Sequence, residues 1–206
     1  MKLEPCVWVL YDHGVVVATA FVHVDDFVVG VLESSTLAAQ KFAELQGYWQ
    51  WGSWESSCFG QTGVDVVQLT DHSIAQPFEA AAAKVETIEG WSQPAGRADD
   101  RLPASGITAC RAALGGLQYL ASQGMSLIAA DTSILASYTN EATYGLVARI
   151  NKVIRTAHEV ARVPIRHQPV KDPAFIAFHD AVWGVRKDGK SQGGFIIGMG
   201  ERDLLS

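Results

Sequence analysis

The sequence predicts an α+β fold in which strands and helices are segregated along the chain. Three observations point there. Residues 6–31 are rich in Val and are interrupted only by short turn-forming groups. Residues 104–162 place apolar side chains at three- and four-residue spacing, the period of a helix. β-prone runs then return after Pro164. With 206 residues, 48% hydrophobic and 18% charged, the chain can bury the core of one large or two small domains.

Taken in order, residues 6–11 and 15–24 flank Asp12-His13-Gly14, the composition of a hairpin turn. In the second of these strands Val16, Ala18, Ala20, Val22 and Val24 share one face, and Val15, Val17, Thr19, Phe21 and His23 the other. Both faces are therefore expected to be covered. Asp25-Asp26 makes an acidic turn into a third strand, 27–31. Ser34 or Ser35 caps a helix running to about Gln46 and ended by Gly47. Residues 49–55 and 64–69 read as short strands, 77–88 as an Ala-rich helix, and 90–103 as a loop and the main internal boundary. Ile107, Cys110, Leu114, Leu117 and Ala121 mark the next helix, followed by helices at 127–138 and 143–162. On the last, Leu146, Val147, Ile150, Val153, Ile154, Ala157, Val160 and Ala161 fall in one arc opposite Arg149, Lys152, Arg155 and Arg162, and Pro164 ends it. Residues 165–170, 174–179 and 193–197 are read as strands.

The net charge of −6 conceals a gradient. Residues 1–148 balance to −10 and residues 149–206 to +4, so only the last quarter suits a polyanion uniformly. Cys6, Cys58 and Cys110 lie far apart with no Cys-x-x-Cys, which argues against a disulfide framework or a structural zinc site and for a reducing compartment. The apolar stretch 15–31 is broken by His23, Asp25 and Asp26, and residues 1–9 lack a basic region followed by a long apolar run. A soluble, intracellular chain without a targeting segment is expected.

Two adjacent carboxylates at a tight turn repel each other, and a divalent cation relieves that repulsion while gaining hard oxygen ligands. Asp25 and Asp26 are thus candidate magnesium ligands, the alternative being a solvated hairpin tip. Asp180 ends an apolar run and is either a metal-binding carboxylate or a turn cap. The basic arc of Arg149, Lys152 and Arg155, continued by Arg166 and Lys171, is either a phosphate-binding surface or a solvated helix face. Trp49, Trp51, Trp54 and Trp91 read as packing residues, with stacking on bases as the alternative.

The string His23-Val24-Asp25-Asp26-Phe27 resembles the aromatic-x-Asp-Asp motif of reverse transcriptases of copia-type LTR retrotransposons, with His23 where that family more usually has Tyr. Residues 2–11 resemble the segment before that hairpin, residues 111–120 the helix after the thumb, and Asn151-Lys152 an Asn-Lys pair of the same polyproteins. Asp180-Ala181-Val182-Trp183-Gly184 resembles the opening of the ribonuclease H domain that follows. The resemblance is collinear over nearly the whole chain. It implies a partial palm and thumb over 1–103, a helical connection over 104–163, and the truncated start of a ribonuclease H-like sheet over 164–206. It further implies Mg2+ or Mn2+ at Asp25, Asp26 and Asp180, an RNA/DNA template-primer as partner, and no membrane. Two-metal phosphoryl transfer draws carboxylates from more than one strand. Neither Glu4 nor Asp12 sits in a matching motif, so the expectation is a polymerase fragment inactive alone, completed by an upstream polymerase region and a downstream ribonuclease H region. The rivals are a non-catalytic retroelement remnant or nucleic-acid-binding module, and a magnesium nuclease using Asp180 and Asp188.

Overall fold

A computed structural model describes residues 5–91, 97–182, 184, 189 and 191–202. Its architecture is α+β, with small antiparallel sheets. The contacts part the chain into two compact units, Met1–Ser56 and Ser57–Ser206. The division falls earlier than the loop at 90–103.

The first unit is a three-stranded antiparallel sheet in the order β1-β2-β3, with β1 at Val7–Asp12, β2 at Val15–His23 and β3 at Asp26–Val31. The β1–β2 turn holds both His13 (φ 49°) and Gly14 (φ 84°) in the left-handed region. Such a turn matches the right-handed twist of the strands, and Gly14 meets that requirement without a Cβ penalty. Helix α1, Thr36–Tyr48, starts where expected: the Ser35 hydroxyl accepts the Ala38 N–H at 3.2 Å. It runs through Gly47 instead of stopping there. One sheet face presents Trp8, Ala20 and Val29 in one row and Leu10, Ala18 and Val31 in the next. Together with Ala38, Phe42 and Leu45 of α1 these residues line an apolar cavity of about 260 Å³.

Two expectations for this unit are corrected. Strand β2 is not covered on both sides: Val17 is buried, but Val15, Val16 and Phe21 are exposed, and Val24 belongs to the turn. The second correction concerns residues 49–55, which form no strand, because their rings are engaged in side-chain packing. Trp51 donates its Nε1–H to the Leu45 carbonyl at 3.0 Å and meets Phe27 edge-on at 4.9 Å, while Trp54 meets Phe42 at 5.1 Å.

In the second unit, β4 (Cys58–Gln61), β5 (Val64–Gln68), β6 (Ile74–Gln76) and β7 (Ile165–His167) form one antiparallel sheet in that order. Residues on both sides of the helical region therefore share a sheet. The helices are α2 (Glu79–Ala83), α3 (Ala104–Ser122), α4 (Ala129–Ala136) and α5 (Tyr144–Val160). Phe78, Leu117, Leu120, Ile128, Leu135, Ile150 and Ile154 are fully buried at their centre. The apolar arc read on α5 is its buried face, and Thr143 caps its start through the Leu146 N–H. Helix α2 has five residues, not the twelve expected over 77–88. Its chain is diverted when Asn151 of α5 captures the backbone of Ile88 at both ends, Nδ2 donating to the carbonyl at 3.0 Å and Oδ1 accepting the N–H at 2.8 Å. His158 Nε2 lies 3.1 Å from the Ala82 carbonyl and 3.0 Å from that of Val85, so its ring N–H satisfies carbonyls at the end of α2.

The strands expected at 174–179 and 193–197 are longer, β8 at Pro173–Val182 and β9 at Gln192–Glu201, and they form a two-stranded ribbon. Phe175, Phe178, Phe195, Ile197 and Met199 on it are exposed. No helix among the described residues is long and apolar enough to cross a membrane.

Candidate functional site

The Asp25–Asp26 site is built by strand pairing. His23 pairs with Asp26, which leaves Val24 and Asp25 as the two residues of the β2–β3 turn, with Asp26 opening β3. The hairpin tip is where the sequence placed both carboxylates, and both are exposed. By strand alternation Asp26 stands with His23 on the sheet face opposite the one lined by Ala18, Ala20, Val29 and Val31.

The turn carries a feature that sequence reading missed. Val24 has φ 57° and is 87% exposed. A β-branched residue there is an outlier that costs about 1–3 kcal/mol and is typical of functional turns. Glycine or asparagine would serve the turn better locally. Among the described residues no group of three or more His, Cys, Asp or Glu side chains comes together in a way that would hold a metal. Asp25 and Asp26 thus stand at the tip without a third such side chain among the described residues.

Asp180 lies within β8, opposite Gly194, rather than at a strand end. Its Oδ1 accepts the Ala181 N–H at 2.8 Å, and the carboxylate is exposed. Asp188, invoked in the nuclease reading, is outside the described residues, as is Trp183.

The basic set divides. Arg149, Lys152 and Arg155 project from the exposed face of α5, with the Arg149 guanidinium 5.9 Å from the Tyr138 ring centre. Arg166 belongs to a different assembly: on β7, it donates through Nε to the Ser73 hydroxyl at 3.0 Å and pairs with Asp71. Ser73 in turn donates its hydroxyl and N–H to Asp71 Oδ1. These bonds, with the Arg166 guanidinium alongside, hold the Asp71 carboxyl below its ordinary range. The result ties the β5–β6 turn to β7. Lys171 is exposed, and its N–H and that of Asp172 donate to Glu201, lowering the Glu201 pKa.

The tryptophans divide as well. Trp51 is half-buried, and Trp91 packs against the core of the second unit. Trp49 remains exposed beside Tyr48, a residue that the sequence did not single out. The chain matches no family model, no curated protein and no solved structure.

Proposed function

We propose that the chain is part of an RNA-directed DNA polymerase of a copia-type retrotransposon, running into a ribonuclease H-like region and inactive by itself. One observation carries the reading: two adjacent carboxylates at the tip of a tight antiparallel hairpin, on a three-stranded sheet backed by a helix, with a strained residue beside them. Strain of that kind persists where the surroundings over-determine a conformation, and functional turns are where it concentrates.

Asp25 and Asp26 would hold the divalent cation, Mg2+ or Mn2+, which when bound supplies charge neutralisation to phosphate oxygens. The role of the chain is positioning. The hairpin fixes the two carboxylates at the end of a paired sheet, with His23 opposite Asp26 in the last rung. The exposed Arg149, Lys152 and Arg155 of α5 offer a surface for template-primer phosphates. Asp180, exposed on β8, is the proposed first carboxylate of the ribonuclease H region.

The exposed basic face of α5 favours a second reading, a nucleic-acid-binding module without chemistry. Extension of a primer on an RNA template separates the two. The chain alone extends nothing; supplied with a polypeptide carrying fingers and an earlier palm carboxylate, it supports extension that Asp26→Asn abolishes. Complementation that never restores synthesis, with nucleic acid still bound, would leave the binding module as the reading.

A further inference from the structure

Strands β8 and β9 are paired from Pro173–Glu201 to Val182–Gln192, and alternation gives their ribbon two chemically different faces. One face carries the Asp180 carboxylate in mid-strand and has glycine at 194, 198 and 200, so its apolar side chains, Phe178 and Ile196 among them, are interrupted by a charge and by gaps. The other face has no carboxylate, lysine or arginine between Phe175 and Ala181: its successive rungs are Phe175–Met199, Ala177–Ile197 and His179–Phe195. There Phe175, Phe195, Ile197 and Met199 keep 81, 76, 62 and 60% of their surface exposed. At roughly 200 Å² for a large side chain they present about 550 Å², near the upper end for the largest apolar patch of a monomer. A two-stranded ribbon is also marginally stable in water without a covering layer.

We propose that this face is the contact between two copies of the chain, packed ribbon on ribbon about a twofold axis parallel to the strands. Such an axis lays β8 of one copy over β9 of the other, level with level. The rungs then match. Ile197 meets Ala177 of the second copy, Met199 meets Phe175, and Phe195 meets His179: a large side chain over a small one, a thioether against an aromatic ring, and ring against ring. An unrelated partner would have to reproduce this order of large and small side chains, whereas a second copy supplies it by symmetry. The area agrees, since two such faces bury about 1,100 Å², slightly more than a specific contact needs, which places the dimer in the micromolar range. No carboxylate faces a carboxylate, because Asp180 stays on the outer side of each ribbon. Dimerisation of this kind is independent of the polymerase reading.

Sedimentation equilibrium of the full chain over about 1–200 μM tests the contact. The parent chain shows a monomer–dimer equilibrium and nothing larger. Ile197→Lys raises the dissociation constant at least about tenfold, because it turns a charge into the packed face. Ala177→Trp does the same although it adds apolar surface, since it fills the space that Ile197 of the second copy occupies. Phe178→Lys, on the side of Asp180, dimerises like the parent chain. All three positions are exposed, so the changes spare the core, and unchanged far-UV circular dichroism and tryptophan emission establish that the variants fold. A parent chain that stays monomeric at the highest concentration overturns the proposal, as does association that runs past the dimer. Tighter association of Ala177→Trp would mark unspecific adhesion and refute the matched rungs, and loss of the dimer in Phe178→Lys would refute the choice of face. Asp26-dependent primer extension reads the polymerase assignment separately.

Discussion

Asn151 offers the sharpest test of how this fold holds its parts together. Its amide satisfies both the N–H and the C=O of Ile88, 63 residues away, at 2.8 and 3.0 Å. Asn151→Leu keeps the number and branching of side-chain heavy atoms and does not lower helix propensity, but it leaves both backbone groups without that partner. Each unsatisfied buried group costs about 1–3 kcal/mol, and partial exposure of the contact lets water recover some of it, so a loss of about 2–3 kcal/mol is expected. With a urea slope of about 2 kcal/mol per molar, the midpoint falls by about 1 M. Asn151→Asp keeps the acceptor for the Ile88 N–H but turns a carboxylate toward the Ile88 carbonyl, so it is destabilising too. The adjacent exposed change Lys152→Leu shifts stability by no more than about 0.5 kcal/mol. Tryptophan fluorescence in a urea titration reads all three. A midpoint for Asn151→Leu within 0.2 M of the parent would refute the claim that this side chain secures the segment after α2, with the threshold being about a fifth of the expected shift.

Other outcomes follow from the same physical reasoning. Val24→Gly relieves about 1–2 kcal/mol of left-handed strain against about 0.5–1 kcal/mol of added chain entropy, so the unfolding midpoint rises slightly or holds; a clear loss of stability would show that Val24 is not strained. Alkylation of the native protein labels exposed Cys6 and Cys58 first, because burial raises the Cys110 pKa and closes access to it; rapid modification of Cys110 without denaturant would contradict its position in the core. That raised value also means that Cys110 contributes stability below its ordinary pKa of 9.0 and loses it as pH rises through the folded value. Asp71 has the opposite sign: its folded pKa is lowered, so the contribution is present above the ordinary value of 3.8 and vanishes on acidification, and Asp71→Asn should flatten the acid limb of a stability-pH profile. Charge reversal of Arg149, Lys152 and Arg155 to Glu weakens retention on single-stranded nucleic acid and reduces its salt dependence; an unchanged salt slope would return that arc to a solvated helix face.

Local chemistry was sufficient for a good part of this molecule. The hairpin at Asp12-His13-Gly14, the placing of Asp25-Asp26 between strands, the Ser35 cap and the buried arc of α5 all depend on neighbours within a few residues, and periodicity or turn composition reports such neighbours directly. Tertiary contacts decided the rest. Residues 49–55 have strand-like composition, but their tryptophans find Phe27, Phe42 and the Leu45 carbonyl, and that packing outweighs a ladder with no partner strand. Residues 77–88 have helical composition, but Asn151 takes the Ile88 backbone and His158 caps the preceding carbonyls, so the helix ends after one turn. Whether a basic residue faces solvent or a carboxylate is likewise invisible in one dimension: Arg155 and Arg166 read alike as members of a cationic tail, and only pairing of β6 with β7 brings Asp71 and Ser73 to Arg166. Periodicity reports which face of an element is apolar; which distant group meets it depends on loop closures over 60 to 95 residues, for which a single sequence carries no local signal.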